Sequence, residues 1–116
     1  MLKSKRVAAY IRVSTAEQAM EGYSIDEQID RLQKYSDAMG WNIIKQHVDP
    51  GYSGSNMQRP ALQNLIANVK DYDVVLVYRL DRLSRSQKDT MYLIEDVFLK
   101  NNIAFVSMCE SFDTST

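Results

Sequence analysis

An α/β fold, with a mostly parallel sheet of four to five strands flanked by helices in three layers, is predicted by two features of the 116-residue sequence. Short runs rich in Val, Ile and Ala, apolar on both faces, alternate with longer stretches of helical periodicity. Capping and turn residues separate one kind of segment from the other. Strands alternating with helices imply βαβ crossovers, and a parallel sheet covered on both faces needs strands apolar on both sides.

The first element is Arg6–Ser14, RVAAYIRVS, apolar except near its ends and therefore a buried strand. Ser24-Ile-Asp-Glu27 has the form of a capping box that opens a helix. Ile25, Ile29, Leu32 and Met39, with Tyr35 between, supply its apolar spacing, and Gly40 is placed to stop it. Trp41–Asp49 reads as a second strand. Asp49–Asn56, DPGYSGSN, is rich in turn residues and reads as a loop. Pro60 suits the first turn of a helix whose apolar face is Leu62, Leu65, Ile66 and Val69. Asp73–Tyr78, DVVLVY, is the clearest buried strand. Ser86-Gln-Lys-Asp89 is placed to cap a helix carrying Met91, Ile94, Val97 and Phe98, which Asn101-Asn102 ends. Ile103–Met108 is the fourth strand. No repeat, low-complexity tract or linker divides the chain, so it reads as one domain.

Composition narrows the function classes. Apolar residues are 45% and charged residues 25%, ordinary values for a globular domain. One cysteine, Cys109, cannot form an internal disulfide, and a lone His47 makes a zinc cluster or a Ser–His–Asp triad a poor fit. No apolar run approaches the length needed to span a bilayer, and no signal peptide opens the chain, so a cytoplasmic, membrane-free protein is expected. The net charge of −1 argues against a domain that grips nucleic acid by bulk electrostatics. A local exception lies between Arg79 and Lys88, where Arg79, Arg82, Arg85 and Lys88 face only Asp81. A focused positive site suits an anion at one place.

In open α/β sheets ligands bind beyond the carboxyl ends of the strands. Those ends carry Arg12 and Ser14, Asp49 and Ser53, Asp81 and Arg82, and Ser107 with Glu110. Tyr10, Arg12 and Ser14, spaced by two, project to one side of their strand. A guanidinium at the end of an apolar strand needs an anionic partner, because burying it alone costs several kcal/mol. A carboxylate or a bound phosphate would serve. Ser14 beside it is either a turn residue or a nucleophile held against that anion. Arg82 and Arg85, three apart, would share one side of a helical turn. With Arg12 they could surround a phosphodiester and neutralise charge building in a transition state. The alternative is an Asp81–Arg85 surface pair, worth about 1 kcal/mol at most. The loop Asp49–Asn56 matches no Walker or dinucleotide fingerprint. It is either a surface loop or one that brings Ser53 and Arg59 towards the phosphate.

Taken in order, Tyr10-Ile-Arg12-Val-Ser14-Thr, Gln18, Ser24-Ile-Asp-Glu-Gln28, Asp49 with Tyr52-Ser53-Gly54, Arg59-Pro60 and Leu80-Asp81-Arg82-Leu83-Ser84-Arg85 resemble the catalytic domain of serine site-specific recombinases, the resolvase/invertase family. Gly22-Tyr23-Ser24, Gly51–Gly54, Arg59-Pro-Ala-Leu and the closing Phe112-Asp-Thr-Ser-Thr look most like the large serine recombinases of phages and mobile elements. The resemblance implies a resolvase-like domain in which Ser14 attacks a DNA phosphodiester, giving a 5′-phosphoserine link and a free 3′-hydroxyl. It makes Arg12, Arg82 and Arg85 the phosphate-binding arginines and Gln18, Asp49, Ser53, Arg59 and Asp81 supporting residues. A covalent intermediate conserves the broken bond's energy, so neither nucleotide cofactor nor metal is expected. Asp81 is a candidate acid provided its pKa is raised.

The resemblance further implies that DNA attachment sites are the partner, and that the full-length protein forms dimers and tetramers through a long helix. Thr116 falls before that helix and before separate DNA-binding domains, so the chain is expected to be a fragment, inactive alone in recombination, of a bacterial protein that joins the nucleoid during reaction. Two other classes fit parts of the pattern: a non-enzymatic α/β phosphate-binding or oligomerisation domain, and a small phosphatase.

Overall fold

The computed structural model describes residues 5–13, 24–51, 57–109 and 112–113. Five strands form one sheet: β1 Arg6–Val13, β2 Asn42–Pro50, β3 Val74–Val77, β4 Ala104–Ser107 and β5 Phe112–Asp113. Their order is β2-β1-β3-β4-β5. The first four are mutually parallel, and the two-residue β5 adds an antiparallel edge. β1 and β3 are buried through almost their whole length, as their apolar runs require.

The residues of β1 alternate between two cores. Val7, Ala9 and Ile11 pack with Leu32 of α1 (Ile25–Met39), and with Val74, Leu76 and Val106, on one face. Ala8 and Tyr10 face α2 (Pro60–Ala67) and the helix that follows β3, where Leu62, Leu65, Leu93, Val97 and Phe98 gather. Thus α1 covers one face and α2 the other. The chain leaves β1 for β2 on one side, then crosses to β3 on the other. That reversal makes the β1/β3 boundary a switch point, beyond whose carboxyl end open α/β sheets bind their ligands.

Most predicted caps form. Ser24 Oγ accepts from the Glu27 amide at 3.1 Å, Gly40 closes α1 with φ +74°, and Pro60 opens α2. Ser86 Oγ accepts from the Asp89 amide at 3.3 Å, and Asn102 ends the segment with φ 61°.

Two predicted core residues are not buried. Met39 is 47% exposed, because Ser36 takes the buried position one turn earlier and Trp41 packs edge-on against Tyr35 instead. Met91 is 46% exposed. The short α4 (Gln87–Met91) passes into a π-helix, Tyr92–Phe98, and then a 3-10 turn, Leu99–Asn101. The wider π turn breaks the 3.6-residue phase, so Leu93, Ile94, Val97 and Phe98 turn inward and Met91 does not. Among the described residues no helix is long and apolar enough to cross a membrane.

Candidate active site

The carboxyl end of the sheet at the switch point is built around a four-residue helix, α3 (Leu80–Leu83), which leaves β3 almost at once. So short a helix leaves most of its carbonyls without partners in its own backbone. Two guanidiniums from other elements supply them. Arg12, at the end of β1, donates through Nε to the Arg82 carbonyl at 3.2 Å and through Nη2 to the Asp81 carbonyl at 2.5 Å. Arg59, just before α2, donates through Nη2 to the Leu83 carbonyl at 2.5 Å and through Nη1 towards that of Arg82 at 3.5 Å. Arg82 answers from α3, its Nη1 donating to the Arg12 carbonyl at 3.1 Å and its Nε to Asp81 Oδ1 at 3.0 Å. All three arginines are fully buried. The described hydrogen-bond acceptors of Arg12 are these carbonyl oxygens, and its charge also acts on the Asp81 carboxyl.

Asp49, from the end of β2, anchors the other side. Its Oδ1 accepts from the Ala61 amide at 2.8 Å and its Oδ2 from the Leu62 amide at 3.0 Å. These are orphan donors of the first turn of α2, which Arg59 at the N-cap position leaves unbonded by its side chain. A carboxylate there is also favoured by the helix dipole. The same Oδ2 accepts from the Tyr10 hydroxyl at 2.8 Å, and Arg59 Nη1 donates to that hydroxyl at 2.9 Å. The Arg59 guanidinium lies 5.6 Å from the centroid of the Tyr10 ring. Gln28 reaches in from α1, its Nε2 donating to the Arg12 carbonyl at 3.4 Å.

Two expectations are corrected. Arg82 and Arg85 do not share a helical turn: α3 ends at Leu83, Ser84 is extended (φ −162°), and Arg85 is exposed while Arg82 is buried. Nor is the condition for Asp81 as an acid met. Partial burial pushes its carboxyl up, but the hydrogen bond and charge of Arg82, with Arg79 and Arg12 beyond, outweigh that and hold its pKa below 3.8. Asp81 is a carboxylate at neutral pH. Its ion-pair partners are Arg82 at 3.0 Å and Arg79 at 3.8 Å, not Arg85.

Of the sequence-derived residues, the structure therefore gathers Arg12, Arg59, Arg82, Asp81 and Asp49 at one end of the sheet. Arg85 lines an adjoining surface groove with Arg79, Leu80, Ser84 and Thr90. Ser14, Gln18 and Ser53 lie outside the described residues. Ser14 directly follows Val13, the last residue of β1. The part played by the Tyr10 hydroxyl went unread. Its signal is a phenol in an otherwise aliphatic strand, since a buried tyrosine hydroxyl seeks a partner.

Similarity to known proteins agrees with this geometry. The family model of the resolvase N-terminal domain matches residues 7–116. The crystal structure of the N-terminal catalytic domain of TP901-1 integrase superposes with a TM-score of 0.92 at 58% identity, covering 97% of this chain and 84% of that one. The C-terminal catalytic domain of ISC1926 TnpA, an IS607-like serine recombinase, follows the same fold at 29% identity and a TM-score of 0.76, over 96% of this chain and 70% of that one. The transposon Tn917 resolvase of Enterococcus faecalis is 33% identical over 110 residues, which is 95% of this chain and 53% of that protein. A putative DNA recombinase of Bacillus subtilis is 37% identical over 86% of this chain and only 20% of its own length. The chain thus spans about half or less of these two curated relatives. It belongs to the resolvase N-terminal domain family and is a serine recombinase catalytic domain.

Proposed function

We propose that this domain cuts and rejoins DNA through a covalent bond to Ser14. The observation that supports the reading is the knot of three buried guanidiniums, Arg12, Arg59 and Arg82, at the carboxyl end of β1, with Arg12 two residues before Ser14. The Ser14 Oγ attacks phosphorus, the bond to the 3′ oxygen breaks, and that oxygen leaves as a hydroxyl after gaining a proton. The serine proton passes to a base. Rejoining reverses the exchange, with a 3′-hydroxyl displacing the serine. Positive charge at the phosphoryl oxygens stabilises the transition state, and Arg12, Arg82 and Arg85 are assigned that work, with Gln18, Asp49, Ser53, Arg59 and Asp81 in support. Asp81, whose pKa is lowered by its arginine neighbours, is given the role of orienting Arg82.

The DNA partner and self-association into dimers and tetramers belong to the same proposal. The greater length of the relatives supports placing site recognition and assembly in further segments, so residues 1–116 alone should not recombine DNA. The test is Ser14→Ala in the recombinase carrying this domain, incubated with DNA bearing its attachment sites. The variant should bind those sites and yield no covalent protein–DNA adduct on a denaturing gel. An adduct from Ser14→Ala would overturn the assignment.

A further inference from the structure

We infer that Tyr10 is the positioning residue that sets α3, and with it Arg82, through a hydroxyl shared between Asp49 and Arg59. The inference rests on the proposed role of Arg82. Its geometry is independent of that role. The Tyr10 hydroxyl has one proton to give and lone pairs to receive. It gives the proton to Asp49 Oδ2 at 2.8 Å and receives one from Arg59 Nη1 at 2.9 Å. Each partner is committed elsewhere. Asp49 holds the first turn of α2 through the amides of Ala61 and Leu62, and Arg59 holds the end of α3 through the Leu83 carbonyl. The hydroxyl therefore joins the start of one helix to the end of another, across a strand that itself carries Arg12 two residues on.

Tyr10, Asp49, Arg59, Leu62 and Leu83 are all buried, so water offers little replacement for a lost partner at the hydroxyl. Without the hydroxyl, Arg59 Nη1 keeps, among its described partners, only the longer 3.5 Å approach to the Arg82 carbonyl, with the ring face 5.6 Å away. The donor on the Leu83 carbonyl is then less firmly held, at the end of a four-residue helix whose other described ties to β1 run through Arg12 and Arg82. Arg82 sits in the middle of that turn. Tyr10 reaches the reacting atoms only through Arg59 and α3.

The experiment is Tyr10→Phe, which keeps the ring over Arg59 and removes the oxygen. Amide exchange is followed by NMR in this chain, and adduct formation in the recombinase carrying it. The Ser84 amide, bonded to the Leu80 carbonyl at 3.2 Å, should lose protection tenfold or more. The Gln28 amide in α1, bonded to the Ser24 carbonyl, should keep its own. Adduct formation should slow by at least tenfold with DNA binding unchanged. Equal loss of protection at both amides, or unchanged exchange at Ser84, would overturn the inference. If wild-type protein forms no adduct, the proposed function fails while the exchange measurement still decides the role of Tyr10. Should Tyr10→Phe not fold, the wild-type hydroxyl proton carries the test. It should exchange slowly and show contacts to the Arg59 guanidinium, and a rapidly exchanging hydroxyl would overturn the inference.

Discussion

The two faces of β1 solve the same packing problem with different chemistry. Towards α1 the strand presents Val7, Ala9 and Ile11 to Leu32 and its neighbours, an apolar layer under a helix capped by its own Ser24 and Gly40. Towards α2 it begins the same way with Ala8, then places Tyr10 and Arg12 into a network of guanidiniums, carbonyls and one buried carboxylate. On the first face each helix end is satisfied locally. On the second, Asp49 from β2 caps α2 and arginines from two elements bond the carbonyls of α3. The apolar face is stabilised by surface removed from water, which is non-directional and tolerant. The polar face depends on geometry, since every misplaced group is left buried without a partner. Stability is expected to reside in one face and reactivity in the other.

The largest effects should come from the polar face. Arg82 uses separate nitrogens of its planar fork for Asp81 and for the Arg12 carbonyl, and Arg82→Lys replaces that fork with a single nitrogen that cannot occupy both positions. Adduct formation should fall by two to three orders of magnitude, in line with about 3–4 kcal/mol for one charge-stabilising donor. Arg85→Lys should also slow the reaction, but being exposed it should leave the melting temperature unchanged, whereas Arg82→Lys should lower it. Calorimetry of the two variants beside their adduct rates checks this. Equal melting temperatures would mean that the fork of Arg82 contributes nothing to the fold.

Leu32→Ala tests the apolar face. A fully buried leucine truncated to alanine costs about 2–5 kcal/mol, depending on how far the cavity collapses. Denaturant melts should show that loss, while the adduct rate per folded molecule stays near wild type. A rate that falls tenfold would show that the two faces are not separable. Gly40→Ala gives a smaller loss on the same face. Nothing lies within 4 Å of where its Cβ would stand, so the cost is the left-handed backbone alone, about 1 kcal/mol.

The same division governs what could be read from the sequence. Ser24, Gly40, Pro60 and Ser86 act on their own helices, so their signals are local and the elements they bound were legible. The parallel sheet was legible for a similar reason, since apolar runs such as DVVLVY have few other uses. The residues gathered at the switch point, Arg12, Asp49, Arg59, Asp81 and Arg82, were legible as a set and their bonding was not. Arg82 and Arg85 look like one face of a turn until Ser84 is seen to be extended. Asp49 reads as a supporting residue at a strand end, but its partners are the Tyr10 hydroxyl and amides twelve and thirteen residues away. Arg12 reads as a charge at a strand end, but that it bonds the carbonyls of a short helix seventy residues on is not written in its own neighbourhood. Long-range hydrogen bonding of this kind leaves no periodicity.

His47 gives the mildest test, because it lies on β2 two residues before Asp49 and opposite Tyr10 in the register. It is buried, with Nε2 3.0 Å from the Tyr72 hydroxyl. Burial pushes its pKa below the ordinary 6.5, Lys45 pushes the same way, and Asp49 only partly opposes them. The unfolded chain takes up a proton near pH 6.5, whereas the folded protein does so only at lower pH. Between those two values the unfolded state binds more protons, so stability rises with pH. The contribution of neutral His47 is fully present above about pH 6.5 and is lost as pH falls towards the folded value. Melting temperatures measured between pH 7 and pH 5.5 should therefore decline for the wild-type chain, and His47→Gln should flatten the decline. Leu32→Ala, on the apolar face, should lower every point and keep the slope. If His47→Gln retains the wild-type slope, the pH sensitivity belongs to some other group, and this end of β2 is as indifferent to protons as the face beneath α1.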